Sequence, residues 1–334
     1  MKISEVRKIL EKYSSDQLKV IVAELYKAMP KSVREDKEID SLIRDPDSFK
    51  KAKRKGRRDK IPDIKALEAE TNRFVENAYN QYYLIPNRIV PKSERSKWRF
   101  KVRRLYKDLT LAASEDGNMQ LAAELLEKIY QVLCYSFDYV LFTAWDAFQS
   151  IGVSQKEFFR RILTLKYQFE EKDKFIRDAL LLMTKNALNR YTLHFDLMFV
   201  ILDFLKTPDM REMAIKMTEE LLEKERTHRP PAKKEWSYDY GLKERINTLA
   251  EMGFFCYAEL YDYDNAISFF KRHYRERDAE IRLYVLIELL FMLGQKEYIV
   301  QEYEEAIRKG IKPRDRLREL YAYIKKNNEL PGGF

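Results

Sequence analysis

From Pro91 to Pro208 the chain runs without a proline, and its 334 residues hold only 10 prolines and 9 glycines. Proline inside a helix removes a backbone donor and clashes with the preceding turn, so a stretch free of it can be helical from end to end. Scarce glycine points the same way. Tight hairpin turns need residues that accept positive φ, and a many-stranded fold would need many of them. The fold class read from these two facts is all-α.

Apolar residues make up 45% and aromatics 13% of the chain, enough to bury a core and far from a disordered composition. Cys134 and Cys256 each sit in an apolar run, with neither a disulfide framework nor a metal-ligand spacing. They read as reduced, buried thiols of a cytoplasmic protein, with a nuclear location open for a eukaryotic source. The opening residues 1–8 contain no apolar run of the kind a secretory signal has. The longest apolar stretches, 193–205 and 281–293, are cut by Asp196 and Asp203 and by Arg282 and Glu288. Both are too short to span a bilayer and are expected as buried helices, so no membrane insertion is expected.

Hydrophobic periodicity and breaks divide the chain into five parts. Residues 1–46 are expected as a small N-terminal helical unit. Ile3, Val6, Ile9 and Leu10 share one face, Ser14 and Gln17 have capping-box spacing, and Leu18, Ile21, Val22 and Leu25 form the next stripe. Pro30 stops that helix. Ser32 and Glu35 offer a second capping box, and Ile39, Leu42 and Ile43 the buried side of a third helix ending at Pro46. The basic stretch 47–62 reads as a flexible linker, 63–226 as a region of helical hairpins, 227–240 with Pro230 and Pro231 as a second loop or linker, and 241–334 as further hairpins. The segment Lys12-Tyr13-Ser14-Ser15-Asp16-Gln17-Leu18 followed by Glu24-Leu25-Tyr26-Lys27 resembles the start of some uncharacterised bacterial helical proteins, a resemblance that implies no activity.

Positive charge is concentrated. Residues 50–107 carry 19 Lys and Arg against 6 Asp and Glu, while the rest of the chain carries 44 basic against 48 acidic side chains. Such a local excess suits a polyanion or an acidic partner. It falls in two clusters. One is the arm Lys50, Lys51, Lys53, Arg54, Lys55, Arg57, Arg58 and Lys60, which has no apolar face. The other lies on the helix expected over 96–113, where Trp98, Val102, Leu105, Leu109 and Ala112 form an apolar stripe. Lys97, Lys101 and Arg104 flank the stripe on one side and Arg99 and Arg103 on the other, with Lys107 beyond. These fourteen side chains are the candidate nucleic-acid contacts, and Phe100 and Tyr106 are the aromatics expected to be exposed for stacking on bases.

Near the C-terminus the chain repeats itself. Tyr257, Ala266 and Phe270 fall at offsets 0, 9 and 13, and Leu290, Ile299 and Tyr303 recur at the same offsets 33 residues later, with Gly294 at the expected inter-helix turn and Ala306 in the second helix. Over about 248–313 this resembles the tetratricopeptide repeat, departing from it at Ile299 and His273. The resemblance implies packing roles for Tyr257, Ala266, Phe270, Gly294, Tyr303 and Ala306. It also implies an α-solenoid-like array of helix hairpins with a groove for a protein or peptide.

Catalytic signatures are missing. No glycine-rich phosphate loop occurs, and His194, His228 and His273 are not spaced with other ligands for a metal, so neither metal nor cofactor is expected. Arg190 and His194 stand four apart and would share a face if they lie on one helix. The carboxylate pairs at 170–171, 219–220 and 304–305 sit among Lys and Arg and read as solvated helix faces. The leading function reading is a non-enzymatic helical-repeat interaction or scaffold protein. The alternative is DNA or RNA binding through 50–107, and a third reading is a helical ribonuclease centred on Arg190 and His194.

Overall fold

A computed structural model describes residues 3–49, 61–115, 117–227 and 235–333. The chain divides into two compact units, Met1–Ile61 and Pro62–Phe334. Every regular element among the described residues is helical, and none is a strand.

The first unit holds α1 (Ile3–Leu10), α2 (Ser15–Ala28), α3 (Lys31–Asp36), α4 (Ile39–Arg44) and a further turn, α5, over 46–49. Ser14 opens α2 with the expected capping box: its hydroxyl accepts from Gln17 N at 3.3 Å, and the Gln17 amide oxygen accepts from Ser14 N at 2.9 Å. The Ser32–Glu35 box does not form. Pro30 is already the N-cap, so α3 begins one residue before Ser32 and has no side-chain cap. The single third helix expected from the sequence is also broken, because Glu38 takes a left-handed φ of 51° between α3 and α4. Tyr26 Oη donates to Asp40 at 2.7 Å and ties α2 to α4. No described side chain in this unit is buried, and Val20 and Leu25 are about as open to solvent as the charged residues beside them.

The second unit contains α6 (Ile64–Tyr79), α7 (Lys92–Arg95), α8 (Trp98–Ala112), α9 (Met119–Asp138), α10 (Ala147–Ile151), α11 (Gln155–Phe169), α12 (Lys172–Thr184) and α13 (His194–Leu202). It continues through α14 (Pro208–Thr227), α15 (Glu235–Ala258), α16 (Tyr263–His273), α17 (Ala279–Met292), α18 (Lys296–Arg308) and α19 (Asp315–Asn327). Asp63, Ser154, Asp262 and Asp278 each cap the helix that follows with a side-chain oxygen, which satisfies donors the first helical turn leaves open. The apolar stripes pack as their period dictates: α6, α8, α10 and α11 surround α9, and α11 hands the core on to α12 and α13. From there α12 meets α14 and α15, α15 lies between α14 and α16, α17 pairs with α18, and α18 with α19. One continuous apolar core runs from Leu67 to Ile324.

Two details fix how closely elements approach. Gly253 lies in α15 against the ring of Phe269, where any Cβ would overlap the aromatic edge, so glycine is what lets α15 and α16 touch. The second expected linker is shorter than its sequence suggests, because α15 already begins at Glu235; positions 228–234 lie outside the described residues. No helix among the described residues is long and apolar enough to cross a membrane.

Candidate functional site

The basic arm, Lys50, Lys51, Lys53, Arg54, Lys55, Arg57, Arg58 and Lys60, lies outside the described residues, as does His228. The basic helix is α8, and its cations have different jobs. Arg103 donates from Nε to the Ile151 carbonyl at 2.5 Å, and its guanidinium covers Gly152, so it closes the C-terminus of α10. Arg104 pairs with Glu70 and, at 3.4 Å, with Asp108, and Lys101 lies 3.7 Å from the same Glu70. Lys97, Arg99 and Lys107 are exposed and meet no carboxylate among the described residues. Of the two aromatics expected at the surface, Phe100 is exposed. Tyr106 is buried against Phe158, with ring centroids 4.7 Å apart, and presents nothing to a base.

At the C-terminal end, Ala266, Phe270, Tyr303 and Ala306 are buried, Tyr257 is half-buried, and Gly294 turns between α17 and α18 with φ of 72°. Ile299 and His273, the departures from the repeat pattern, are buried as well. Between α16, α17 and α18 lies a groove of about 280 Å³ whose floor includes Phe270, Leu283 and Leu286. Lys271, Arg282 and Lys309 stand at it against Glu302 and Glu305. Lys271 bonds Glu302 at 2.7 Å and Glu305 at 2.9 Å, and Lys309 reaches Glu305 at 2.6 Å. Hydrogen bonds from Lys309 and Lys271 hold the Glu305 carboxyl down to about 2, whereas burial raises that of Glu302.

A third region gathers around the irregular stretch 185–193. Gln155, wholly buried at the start of α11, holds it: its Nε2 donates to the Ala187 carbonyl at 2.9 Å, and its Oε1 accepts from Asn189 N at 2.8 Å. Three hollows open around this clamped stretch. The largest, about 550 Å³, is lined by Asp138, Tyr139, Lys185, His194 and Glu244 among others. There Glu244 Oε1 lies 3.1 Å from His194 Nε2, while Nδ1 is buried with no partner, and burial and then the charge of Glu244 raise the Asp138 carboxyl. Arg190 and His194 do not share a helix face. Arg190 lies in the irregular stretch and His194 opens α13, because Asp196 caps Leu193 N at 3.0 Å and starts the helix there. Arg190 instead sits over the ring of Trp145 at 4.3 Å.

Trp145 is 76% exposed and stands at a second hollow of about 320 Å³. Its neighbour Asp146 is buried at 4% exposure; Oδ1 accepts from Gln149 N at 2.9 Å and caps α10, but Oδ2 is buried without any hydrogen-bond partner. An unsatisfied buried acceptor costs roughly 1–3 kcal/mol. The third hollow, beside Tyr191 and Asp196, has its charge already matched by the Lys156–Asp196 pair at 3.1 Å. No group of three or more metal-ligating side chains occurs among the described residues.

The sequence points to neither Gln155 nor the Trp145–Asp146 pair. Asp146 precedes the short run of α10 as an N-cap would, which is a readable signal for one of its two oxygens. Glu170 does not lie on the solvated face its sequence suggests. Its carboxylate is instead enclosed beside Lys166, at 3.6 Å, and Lys174. Comparison with family models, curated proteins and solved structures yields no match to this chain.

Proposed function

We propose that the second unit is a scaffold of stacked helix hairpins, arranged like a tetratricopeptide array, that holds a segment of another protein in the groove between α16, α17 and α18. The observation that carries this reading is the groove itself. An apolar floor from Phe270, Leu283 and Leu286 lies open between consecutive hairpins, with three cations against two carboxylates along it. Such a surface suits an apolar segment bearing acidic side chains, because the floor rewards burial and the unmatched cation rewards negative charge. Arg282 is exposed and supplies the unmatched charge, since Lys271 and Lys309 are already engaged by Glu302 and Glu305. The helix order supports hairpins, with α15 on α16 and α17 on α18 as paired arms, and Lys271 of α16 reaches Glu302 and Glu305 of α18 from one pair to the next.

Selection of the full-length protein against a random peptide library tests the reading. Peptides alternating acidic and large apolar residues should be enriched, and Arg282→Glu should weaken them about tenfold by fluorescence polarisation, the scale of a single charge-assisted hydrogen bond. Failure to enrich such peptides, or equal binding by the variant, contradicts it. A second reading, nucleic-acid binding, has its own observation in Lys97, Arg99 and Lys107, exposed on α8 without acidic partners among the described residues. Charge reversal at Lys97 and Lys107 should then lower the log–log salt slope of binding by roughly 1 for each phosphate that goes unneutralised.

A further inference from the structure

We propose that the hollow at Trp145, Asp146 and Arg190 is a nucleotide site that takes a purine base through its N–H edge, guanine in preference to adenine. The site is separate from the groove at α16–α18, and the inference does not rest on that reading. Three features converge. Asp146 Oδ2 is a buried acceptor without a donor, at the wall of a cavity of about 320 Å³. No Lys or Arg among the described residues pairs with this carboxylate, and no described donor satisfies its second oxygen. Trp145 is 76% exposed, and an exposed indole offers surface on which a flat ring can stack. Arg190 lies over that ring at 4.3 Å and lines the same hollow, with no carboxylate partner among the described residues, leaving its N–H groups for an anion.

A ligand that answers all three has a planar ring, an N–H donor on its edge and a negative group a short distance away. A nucleotide has that set: base on Trp145, ring N–H or exocyclic amine on Asp146, phosphate on Arg190. Guanine fits the one free oxygen best because its adjacent N1–H and N2–H₂ can both converge on it, whereas adenine offers only its amine on that edge and uracil a single N3–H. The cavity volume falls at the lower end of the range for small-molecule pockets, enough for one base and its sugar. The wall behind is rigid. Phe142 lines the hollow and stacks on Trp98 with centroids 4.0 Å apart, so the loop that carries Trp145 and Asp146 is pinned to α8.

The test is titration of the full-length protein with guanosine monophosphate, adenosine monophosphate, uridine monophosphate and guanosine, followed by tryptophan fluorescence and calorimetry. Guanosine monophosphate should bind saturably at or below ~1 mM and at least about tenfold tighter than uridine monophosphate. Asp146→Asn keeps the helix cap, because asparagine caps as well as aspartate, and should lower affinity at least about tenfold without unfolding the chain. Arg190→Gln, at an exposed position, should weaken the monophosphate and leave guanosine unchanged. An oligonucleotide ending in guanosine separates the sources of the ligand: tighter binding than the mononucleotide assigns a strand end, and equal or weaker binding a free nucleotide. No saturable binding up to ~1 mM, or binding that ignores both substitutions, overturns the proposal.

Discussion

The helices of 3–49 and the helices of 62–333 read alike in sequence, with apolar stripes at helical spacing, yet among the described side chains only the second set buries anything. In α2, Val22 and Leu25 lie on the stripe and remain exposed, while the equivalent stripe of α9 places Leu125, Ile129 and Leu133 at zero exposure. Ion pairs in the first unit, such as Lys19–Asp16 and Lys27–Glu24, are exposed on both sides and contribute little. The lesson is that a stripe specifies a helix and a face, but a core also requires a second surface to close on it. In the second unit that surface comes from elements far along the chain.

The comparison breaks most readily at the aromatic centre. Phe148 is fully buried against Tyr130, Phe137 and Phe158, so Phe148→Ala should cost about 3–5 kcal/mol. Chemical denaturation followed by tryptophan fluorescence reads this cleanly, since Trp98, Trp145 and Trp236 all lie beyond residue 61. A loss below ~1 kcal/mol would mean that the second unit is as loosely packed as the first.

A charge effect comes next. Burial, reinforced by Glu288, raises the Glu251 carboxyl to about 8. A group whose folded pKa is raised favours the folded state when protonated; that stability is complete below about 4.5 and drains away as pH rises through about 8. Glu251→Gln should therefore remove the decline and stabilise the protein at pH above 8 by on the order of a few kcal/mol, measured by melting across a pH series. His273 works with the opposite sense. Burial and then Arg226 and Arg272 lower its pKa from 6.5 to about 4, so its contribution holds above 6.5 and fades as pH falls to about 4. The first unit has no comparable buried group among its described residues.

Smaller effects sharpen the contrast. Gly253→Ala adds a good helix former, but its methyl meets the Phe269 ring, so thermal unfolding should show a net loss of ~1–3 kcal/mol. At a merely exposed helical glycine the same change would stabilise. Leu25→Ala in α2 is expected to alter stability by less than ~0.5 kcal/mol, because its side chain is already 59% exposed.

How far the fold is legible in the sequence follows the range of the interactions. The stripe of α8, the capping Ser14 and the turn at Gly294 depend on residues within one or two turns, and they stand where the sequence puts them. Tyr106, four residues after Val102 and three before Leu109, stands at the edge of the stripe, and its burial is decided by a partner on another element, Phe158 of α11. Gln155 and Lys166 look like surface residues of an amphipathic helix. Their partners, Ala187 and Asn189 for one and Glu127 and Asp178 for the other, come from other elements, and burial follows from those bonds. The unpaired oxygen of Asp146 is equally hidden, since a cap motif predicts one occupied oxygen and is silent on the other.

Native-state hydrogen exchange of the full chain, resolved by segment, tests the division most directly. Amides of α9 and α15 should exchange only through global unfolding of the second unit, while those of α2 and α4 exchange through local opening at far lower protection. Protection of α2 equal to that of α9 would show that the stripe at Leu18–Leu25 is closed over, and would contradict the account.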